Sequence, residues 1–349
     1  MRFTFMCKKQ KPLQKIDKKV AIIGAGPSGL AVTGYLACKG YEITLFERLP
    51  LPGGLMVFGI PESRIPRKRV LLGCKELEEI FDVKIKTSCK IITNDEKILG
   101  DNYVKETLEL QKIIDEFDAT VIATGTWSSR SLPAEGSGYS GIYSALEYLF
   151  RSKSYEMGLI PEYERIKLGS NVVVIGSGLV AVDAALNAIE EGYSVKLISI
   201  ENQFDAPSGS YEIQKLRDKG AEHIERAVIK RVLGQGKVQS IEIISVNAEV
   251  KGGVVLKLEQ IPGTEKIINN IDNIIVGIGQ IPTPPFNKEF QEIKTLRWGG
   301  IEVDSKYMVS KNKVFATGDV TTGVSKVGRA YQTGLKAAYW VDRYLQNTA

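Results

Sequence analysis

The first residues with types and spacing suited to chemistry form a glycine-rich hexad, Gly24-Ala25-Gly26-Pro27-Ser28-Gly29, directly after the apolar residues 20–23. In a Gly-x-Gly-x-x-Gly turn the first glycine permits a tight turn, the second lets a pyrophosphate approach the backbone, and the third lets a helix pack on a strand. The helix N-terminus then offers free N–H groups and partial positive charge to phosphate. Glu47, at the end of the next apolar run, can accept hydrogen bonds from ribose hydroxyls. This combination predicts a dinucleotide site.

A second motif of the same kind is Gly176-Ser177-Gly178-Leu179-Val180-Ala181. Its third position is alanine, which loosens helix–strand packing slightly and is common where NADP binds. The tip of the following strand carries Ile200 and Glu201, whereas recognition of the NADP 2′-phosphate usually needs arginine there. A carboxylate repels a phosphate but can bond a free 2′-hydroxyl, so the charge argument favours NADH over NADPH. The alternative is that Glu201 faces solvent and an arginine from elsewhere, such as Arg217, contacts the phosphate.

Each motif needs a strand before it and a helix and a strand after it, and the sequence supplies these elements twice. The first set is a strand at 20–23, a helix over 30–39 ended by Gly40, and a strand at 43–46. The second set is a strand at 172–175, a helix through Ala188 that ends by Gly192, and a strand at 195–198. Continuous apolar strands are typical of parallel sheets buried on both faces. We therefore predict an α/β fold with two Rossmann-like dinucleotide-binding domains, the second inserted in the first.

Three further apolar strands run into small residues. They are followed by Ala123-Thr124-Gly125, by Gly277 to Gly279, and by Gly318-Asp319. A C-terminal helix is predicted from Val327 to Leu345, and alternating segments between Gly220 and Gly263 predict antiparallel strands.

Composition excludes several classes of protein. The length of 349 residues fits two domains, and the net charge of +5 is too small for a typical duplex DNA binder, so we expect no nucleic-acid partner. The four cysteines are scattered without a Cys-x-x-Cys pair, at Cys7, Cys38, Cys74 and Cys89. We therefore expect no metal site, bound Fe–S cluster or redox disulfide within these residues. His223 is the only histidine and is expected on the surface or in packing rather than in catalysis.

Residues 20–38 contain no charged residue and could be mistaken for a membrane anchor. The run contains Gly24, Gly26, Pro27, Gly29 and Gly34, which make it a poor candidate for a membrane helix. Because the run resolves into a strand, a turn and a helix, we expect no membrane insertion and a cytoplasmic protein.

The motifs carry a resemblance. The first hexad, Glu47 and the segment Pro-Gly-Gly-Leu-Met-Val-Phe-Gly-Ile-Pro at 52–61 resemble the small subunit of glutamate synthase and its relatives, which include the flavin half of dihydropyrimidine dehydrogenase and adrenodoxin-reductase-like enzymes. The similarity continues through residues 123–126, 141–145, the second motif, Gly279-Gln280 and 317–319, and it covers nearly everything from Lys18 onward.

The resemblance implies FAD in the first site and a nicotinamide dinucleotide in the second. Gly24, Gly26 and Gly29 would meet the FAD pyrophosphate and Glu47 its ribose, Gly54 and Leu55 would line the flavin, and Asp319 would bond the ribityl chain. Residues 324–330 would place a helix N-terminus near the flavin pyrimidine. The further positions carried over as cofactor-binding are Pro27, Ser28, Arg48, Gly53, Gly59, Ile60, Ala123, Thr124, Gly125, Gly279, Gly318 and Ala330. The expected domains are a basic arm at 1–17, an FAD-binding domain at 18–130 and 284–349, and an NAD(P)-binding domain at 131–283.

Two departures from that family matter. The paired arginines after the second strand tip are missing, and the cysteine-rich Fe–S domain of the synthase subunits has no counterpart in this sequence. We therefore expect hydride transfer from NAD(P)H, NADH preferred, to FAD, with electrons passing to another molecule such as ferredoxin or an Fe–S or amidotransferase subunit. Such hydride transfer needs no side-chain acid or base, so no catalytic residue is assigned.

A basic cluster after the flavin loop could attract an acidic ferredoxin, or it could be a solvated helix face; its members are Arg64, Arg67, Lys68 and Arg69. Other functions stay open: an electron-relay subunit of a larger complex without activity of its own, a nucleotide-binding module without turnover, and, less favoured, a flavin monooxygenase. The sequence leaves the electron acceptor, the direction of flux and the oligomeric state open.

Overall fold

A computed structural model describes residue 5 and residues 14–93, 97–251, 254–287 and 290–348 of the chain. The described residues form two compact units. The first unit runs up to Ser128 and resumes at Gln280, and the second unit is Ser129–Gly279. Most of the predicted basic arm at 1–17 lies outside the described residues, although the first strand already begins at Ile16 rather than near Val20.

The first unit is built on a parallel sheet that contains five strands among the described residues. Their order across the sheet is Val314–Ala316, Ala119–Ile122, Ile16–Ile23, Tyr41–Phe46 and Lys84–Lys86. Ile23 lies opposite both Phe46 and Ile122, so the strands end at the same edge. A smaller parallel pair joins Cys89–Ile92 to Glu106–Glu109. The carboxyl edge of such a sheet is where ligands bind in open α/β folds.

Helices cover this sheet because its strands are apolar on both faces. The described α-helices of the first unit are Pro27–Lys39, Leu55–Phe58, Arg67–Phe81, Leu110–Glu116, Asp319–Thr322 and Val327–Asn347. The helix predicted over 30–39 starts three residues earlier, and Gly40 ends it with φ 106°, which confirms the predicted glycine cap. The C-terminal helix is also confirmed and packs against Pro27–Lys39.

The second unit repeats the plan. Its parallel sheet, five-stranded within the described residues, has the order Glu222–Ile224, Ser194–Ile198, Asn171–Ile175, Asn273–Val276 and Ile142–Ser144. Its described α-helices are Ala145–Glu156, Leu179–Glu190 and Ser210–Asp218. Alanines of Leu179–Glu190 pack on Val172 and Val174 of the central strand. The predicted fold class, an α/β protein with two parallel-sheet dinucleotide folds, is confirmed.

An antiparallel sheet completes the second unit, with strands Ala227–Gly234, Val238–Lys251, Val254–Gln260 and Lys266–Asn269. The prediction of antiparallel strands between Gly220 and Gly263 is confirmed for the first three. It is wrong for Glu222–Ile224, which pairs in parallel with Ser194–Ile198. The helix Ser210–Asp218 makes the crossover that a parallel pair requires, and three residues are too few to show a period.

Two-residue strands, Ser128–Ser129 and Gln280–Ile281, lie where the chain passes from one unit to the other. Of the described helices, none combines the length and the apolar character that crossing a membrane requires.

Candidate functional site

The glycine-rich turn of the first unit leaves the sheet edge in a conformation that few other residues could adopt. Gly24 has φ 104°, and a Cβ there would lie 2.5 Å from the carbonyl oxygen of Ala123. A Cβ on Gly29 would lie 1.9 Å from the carbonyl oxygen of Gly24, so the helix starts against the turn itself. At Gly26, by contrast, a Cβ would meet nothing within 4 Å. The turn is therefore tightly packed at its first and third glycines and open at its second.

The helix that follows is free to receive an anion at its start. It begins with Pro27, its cap at Gly26 has no side-chain hydrogen bond, and no acidic residue lies in its first turn. Ser28 is buried, and its hydroxyl donates to Thr317 Oγ1 at 3.3 Å. No carboxylate of the first turn therefore neutralises the partial positive charge of this helix end or accepts from its N–H groups.

Glu47 is buried at the tip of the second strand and reaches back to the turn. Its Oε2 accepts from the backbone N–H of Ala25 at 2.8 Å and its Oε1 from that of Leu49 at 2.9 Å. Burial raises the pKa of Glu47, against the opposing effects of these hydrogen bonds and of the Arg48 charge. Each carboxylate oxygen has a second lone pair, so both can still accept a ligand hydroxyl.

Arg48 is fixed beside Glu47 by contacts that the sequence did not reveal. Its guanidinium lies 4.5 Å from the ring centroid of Trp127, pairs with Asp101 at 3.3 Å and donates to the carbonyl oxygen of Leu99. Lys90 also pairs with Asp101, at 2.6 Å. The Nη2 group of Arg48 is buried and has no hydrogen-bond partner among the described residues. A rigid, buried donor without a partner points to a ligand that supplies an acceptor.

The segment 52–61, in which flavin contacts are predicted, lies against the glycine-rich turn. The N–H of Gly53 donates to the carbonyl of Ala25 at 2.8 Å, and a Cβ on Gly54 would lie 2.9 Å from the Cα of Gly26. The N–H groups of Gly59 and Ile60 both donate to the carbonyl of Leu55, which closes the short helix. The structure therefore brings this loop and the turn together by backbone contact.

Two other predicted segments reach the same edge of the first unit. The N–H of Thr317 donates to the carbonyl of Ile122 at 3.0 Å, and a Cβ on Gly318 would lie 2.7 Å from the Cβ of Ser28. Asp319 follows and accepts from the hydroxyl of Ser325 at 2.5 Å and from its N–H at 3.2 Å. Burial raises the pKa of Asp319, and the bonds from Ser325 oppose that shift.

The remaining positions assigned in the first unit lie on neighbouring elements. Ala123 extends the central pairing by donating its N–H to the carbonyl of Ile23, and the Oγ1 of Thr124 is buried without a partner among the described residues. The carbonyl of Gly125 accepts from the N–H of Thr283 at 3.0 Å. Ala330 is buried in the first turn of the C-terminal helix.

The turn of the second unit has the same geometry, except that alanine replaces glycine at the third position of the motif. Gly176 has φ 105°, a Cβ there would lie 2.5 Å from the carbonyl oxygen of Gly277, and Gly178 again faces open space. Leu179 and Val180 begin the helix. Ala181, the third residue of the motif, is buried and packs on the backbone of Gly277.

Glu201 also reaches back to its turn and does not simply face solvent. Its Oε2 accepts from the hydroxyl of Ser177 at 2.7 Å, and the N–H of Ser208 donates to the carbonyl of Ser177 at 3.1 Å. Arg217 donates to Gln203 at 2.7 Å and lies 3.8 Å from Glu225. Glu201 thus contacts the second turn as Glu47 contacts the first, although it does so through a serine hydroxyl rather than a backbone N–H. It also lies two positions later, because the carbonyls that accept from Gly176 and Gly24 belong to Ile198 and Phe46.

Gly279 and His223 complete the predicted residues of the second unit. The carbonyl of Gly279 accepts from the N–H of Arg130 at 3.1 Å. The side chain of His223 is buried, which fits the packing alternative and not the surface alternative. Within the described residues no group of three or more histidine, cysteine or acidic side chains is placed to hold a metal ion, and Cys38, Cys74 and Cys89 are buried.

Comparison with known proteins defines the class. Residues 18–334 match the family model described as pyridine nucleotide-disulphide oxidoreductase, and the chain belongs to this family. It is a pyridine-nucleotide-dependent flavoprotein oxidoreductase.

Two relatives show which members of the family this chain is similar to. The chain is 29% identical over 350 residues to the glutamate synthase [NADPH] small chain of Azospirillum brasilense, covering 98% of this chain and 70% of that protein. It is 30% identical to the NADP(+)-dependent formate dehydrogenase subunit beta of Moorella thermoacetica, covering 94% of this chain and 44% of that subunit. The resemblance to glutamate synthase small subunits is thereby confirmed.

Solved structures agree on the fold. Mycobacterium tuberculosis FprA in complex with NADPH matches with a TM-score of 0.72 at 15% identity, covering 95% of this chain and 85% of that one. The thioredoxin reductase of T. acidophilum matches with a TM-score of 0.64 at 21% identity, covering 95% of this chain and all of that one, 100%.

Proposed function

We propose that the first unit binds FAD, that the second unit binds NADH, and that the protein moves a hydride from NADH to FAD and passes the electrons to a separate redox protein. One observation carries this proposal: each unit has a glycine-rich turn that is open at its second glycine and is engaged by the carboxylate of the next strand tip, Glu47 or Glu201. FAD, when bound, supplies the redox chemistry, because it accepts a hydride and can release electrons singly.

The residues of the first unit fit a flavin dinucleotide. Space at Gly26 admits a pyrophosphate, and the helix N-terminus supplies N–H groups to it. Two buried polar groups without described partners, Arg48 Nη2 and Thr124 Oγ1, are available to ligand atoms. We assign FAD binding in this unit to Gly24, Gly26, Pro27, Ser28, Gly29, Glu47, Arg48, Gly53, Gly54, Leu55, Gly59, Ile60, Ala123, Thr124, Gly125, Gly318, Asp319 and Ala330.

In the second unit we assign nicotinamide dinucleotide binding to Gly176, Ser177, Gly178, Leu179, Val180, Glu201 and Gly279. The assigned units correspond to an FAD domain interrupted by an NAD(P) domain. No side chain is assigned as a proton donor or acceptor, because hydride transfer between these rings needs none. The part of the protein is to bind both coenzymes, orient them and exclude water.

The preference for NADH rests on Glu201. Its carboxylate is held by Ser177 at the turn, where the 2′-phosphate of NADPH would bring a second negative charge. The competing idea, that Arg217 contacts a phosphate, is weakened because Arg217 is engaged by Gln203 and Glu225. This proposal departs from the relatives, several of which carry NADPH in their names.

The partner we propose is an acidic ferredoxin or an Fe–S or amidotransferase subunit of a cytoplasmic complex. Lys68 and Arg69 are exposed at the start of the helix Arg67–Phe81, while Arg67 pairs with Glu62 at 2.9 Å. Exposed positive charge attracts an acidic partner over long range. A role as an electron-relay subunit is favoured by relatives described as subunits, among them the formate dehydrogenase subunit beta and an NADPH-Fe(3+) oxidoreductase subunit beta from Geobacter sulfurreducens.

A stopped-flow experiment tests the proposal. The purified protein, loaded with FAD, is mixed without oxygen with NADH or with NADPH, and flavin absorbance is followed; ferredoxin is then added. We expect faster bleaching with NADH and recovery of colour with ferredoxin. Protein that cannot be loaded with FAD, or flavin that neither nucleotide bleaches, would refute the proposed function. Bleaching without recovery, restored by an Fe–S partner that co-purifies, would favour the relay subunit.

A further inference from the structure

The single histidine of the sequence occupies a position that packing alone does not explain. His223 lies on the strand Glu222–Ile224, opposite Leu197, and its side chain is only 1% exposed. Its Nε2 lies 2.8 Å from the hydroxyl of Ser199, which is itself buried. Buried polar groups are costly unless they are hydrogen-bonded, so this pair has a defined geometry.

The direction of the hydrogen bonds follows from the proton count. The hydroxyl of Ser199 donates to the backbone carbonyl of Glu201 at 2.8 Å. A hydroxyl has one proton, so Ser199 must accept the proton of His223 Nε2–H. The other nitrogen, Nδ1, lies 3.4 Å from Glu225. Burial lowers the pKa of His223, and the charge of Glu225 opposes the shift.

This pair holds one end of Glu201 while the turn holds the other. The backbone carbonyl of Glu201 is fixed by Ser199, and its side chain is fixed by the hydroxyl of Ser177. The backbone N–H of Ala227 also donates to the carbonyl of Ser199 at 2.9 Å. The imidazole of His223 is therefore linked to the glycine-rich turn through Glu201, by hydrogen bonds at the backbone carbonyl of Glu201 and at its side chain.

We propose that His223, acting through Ser199, is a positioning residue that sets the backbone of Glu201 and so sets the selectivity of the second unit between NAD(H) and NADP(H). The inference rests on the proposed function, in which Glu201 meets the adenosine ribose. It adds that selectivity is determined from a neighbouring strand, by a side chain that does not itself touch the coenzyme.

The experiment uses FAD-loaded protein and two backgrounds, wild type and Glu201→Ala. In each background His223→Leu removes the donor, His223→Gln keeps an N–H donor, and Ser199→Ala removes the linking hydroxyl. Glu222→Gln is the matched control, because Glu222 lies on the same strand and pairs only with Lys196 at the surface in the described ion pairs. Calorimetry gives Kd for NAD⁺ and NADP⁺, stopped flow gives the limiting rate of flavin reduction, and thermal unfolding gives Tm.

In the wild-type background His223→Leu and Ser199→Ala should each raise Kd for NAD⁺ about five-fold, the effect of one lost hydrogen bond. Kd for NADP⁺ should change less, so that selectivity falls, and the limiting rate of flavin reduction should stay the same. His223→Gln should behave like wild type. In the Glu201→Ala background none of these substitutions should change either Kd further.

Equal weakening of NAD⁺ binding by His223→Leu in both backgrounds would overturn the proposal, since the effect would not pass through Glu201. So would a loss of Tm and FAD without any change in selectivity. If Glu201→Ala alone leaves both Kd values unchanged, the proposed role of Glu201 fails together with this inference. If Glu201→Ala lowers selectivity and the His223 and Ser199 variants do not, only this inference fails.

Discussion

Ala181 fits into the second unit because Gly277, on the adjacent strand end, has no side chain: a Cβ on Gly277 would lie 2.6 Å from the Cβ of Ala181. In the first unit the roles are exchanged. Gly29 occupies the helix position, and Ala123 occupies the strand end. Ala123 and Gly277 are equivalent, since their N–H groups donate to Ile23 and Ile175 at 2.8 Å each. An alanine in the third position of the motif is therefore matched by a glycine opposite it.

Gly277→Ala should destabilise the protein by about 1–3 kcal/mol, because two methyl groups would occupy one space. Ala181→Gly should cost about 1 kcal/mol as a glycine in a helix. The double variant Ala181→Gly, Gly277→Ala reproduces the arrangement of the first unit, so its loss should be smaller than the sum. Urea unfolding measures all three variants, and strictly additive losses would contradict the reciprocal fit.

Glu47→Ala should weaken FAD binding about 10- to 100-fold, since it removes charged hydrogen bonds to the ligand and the support of the Ala25 and Leu49 N–H groups. The measurement is the FAD content after gel filtration and the Kd on reconstitution. Glu42→Ala is the matched control, because Glu42 lies on the strand that ends directly before Glu47 and forms an exposed pair with Lys84. FAD content equal to that of wild type would count against the assignment of Glu47.

FAD affinity should fall as the pH drops through the raised pKa of Glu47. Ligand hydroxyls that donate to the carboxylate favour its ionised form, so the pKa with FAD bound lies below that of the free protein. The folding stability of the flavin-free protein depends on pH in the opposite direction. Because the folded-state pKa of Glu47 is raised, the stability gained by its protonation is present at low pH and is lost as the pH rises through that pKa.

Flavin fluorescence, measured from about pH 8 to about pH 4, follows the release of FAD over the range in which carboxyl groups titrate. Glu47→Ala should flatten this dependence, with a remainder from Asp319, whose pKa is also raised by burial. A wild-type affinity that is constant across this range would exclude titrating carboxylates from the FAD site.

Glu201→Arg should shift the preference from NADH toward NADPH by at least about ten-fold in the ratio of specificity constants, because a repulsive charge is replaced by a phosphate-binding guanidinium. Steady-state turnover with a dye acceptor gives the ratio. Glu222→Arg, on the neighbouring strand, makes the same change of charge at an exposed position. An unchanged ratio in Glu201→Arg would mean that another residue determines selectivity.

Reversing Lys68 and Arg69 to glutamate should slow reduction of an acidic ferredoxin at low salt and leave NADH-to-dye turnover unchanged. Added salt should narrow the difference from wild type, because it screens the attraction. Lys75→Glu is the control on the same helix, where Lys75 forms an exposed pair with Glu79. If both rates fall together, the basic cluster supports the fold rather than a partner.

The sequence predicted the two repeated strand–turn–helix units and the local elements within them. The spacing of Gly24, Gly26 and Gly29 and the apolar run before them were enough to predict the strand, the turn and the helix. The same holds for the second motif, and Glu47 lies at the strand tip as expected.

The contacts that the sequence did not predict join residues that are brought together by the path of loops. Ser177 and Glu201 are 24 positions apart, and their hydrogen bond depends on how residues 201–208 return to the turn. Arg48 and Trp127 share no periodic spacing, although a tryptophan two residues after Gly125 was a signal that could have been used. For His223 the sequence left a surface position and a packing position both open, because the three residues of its strand show no alternation.

Two segments from the last part of this sequence pack against Ser28. A Cβ on Gly318 would strike its Cβ at 2.7 Å, and a Cβ on Gly334 would strike its carbonyl oxygen at 2.4 Å. The opening of the first helix is therefore finished by residues that the ribosome makes about three hundred positions later. A nascent polypeptide therefore cannot complete the packing around Ser28 until residues 318–334 have been synthesised, and a product that terminates before them lacks both contacts.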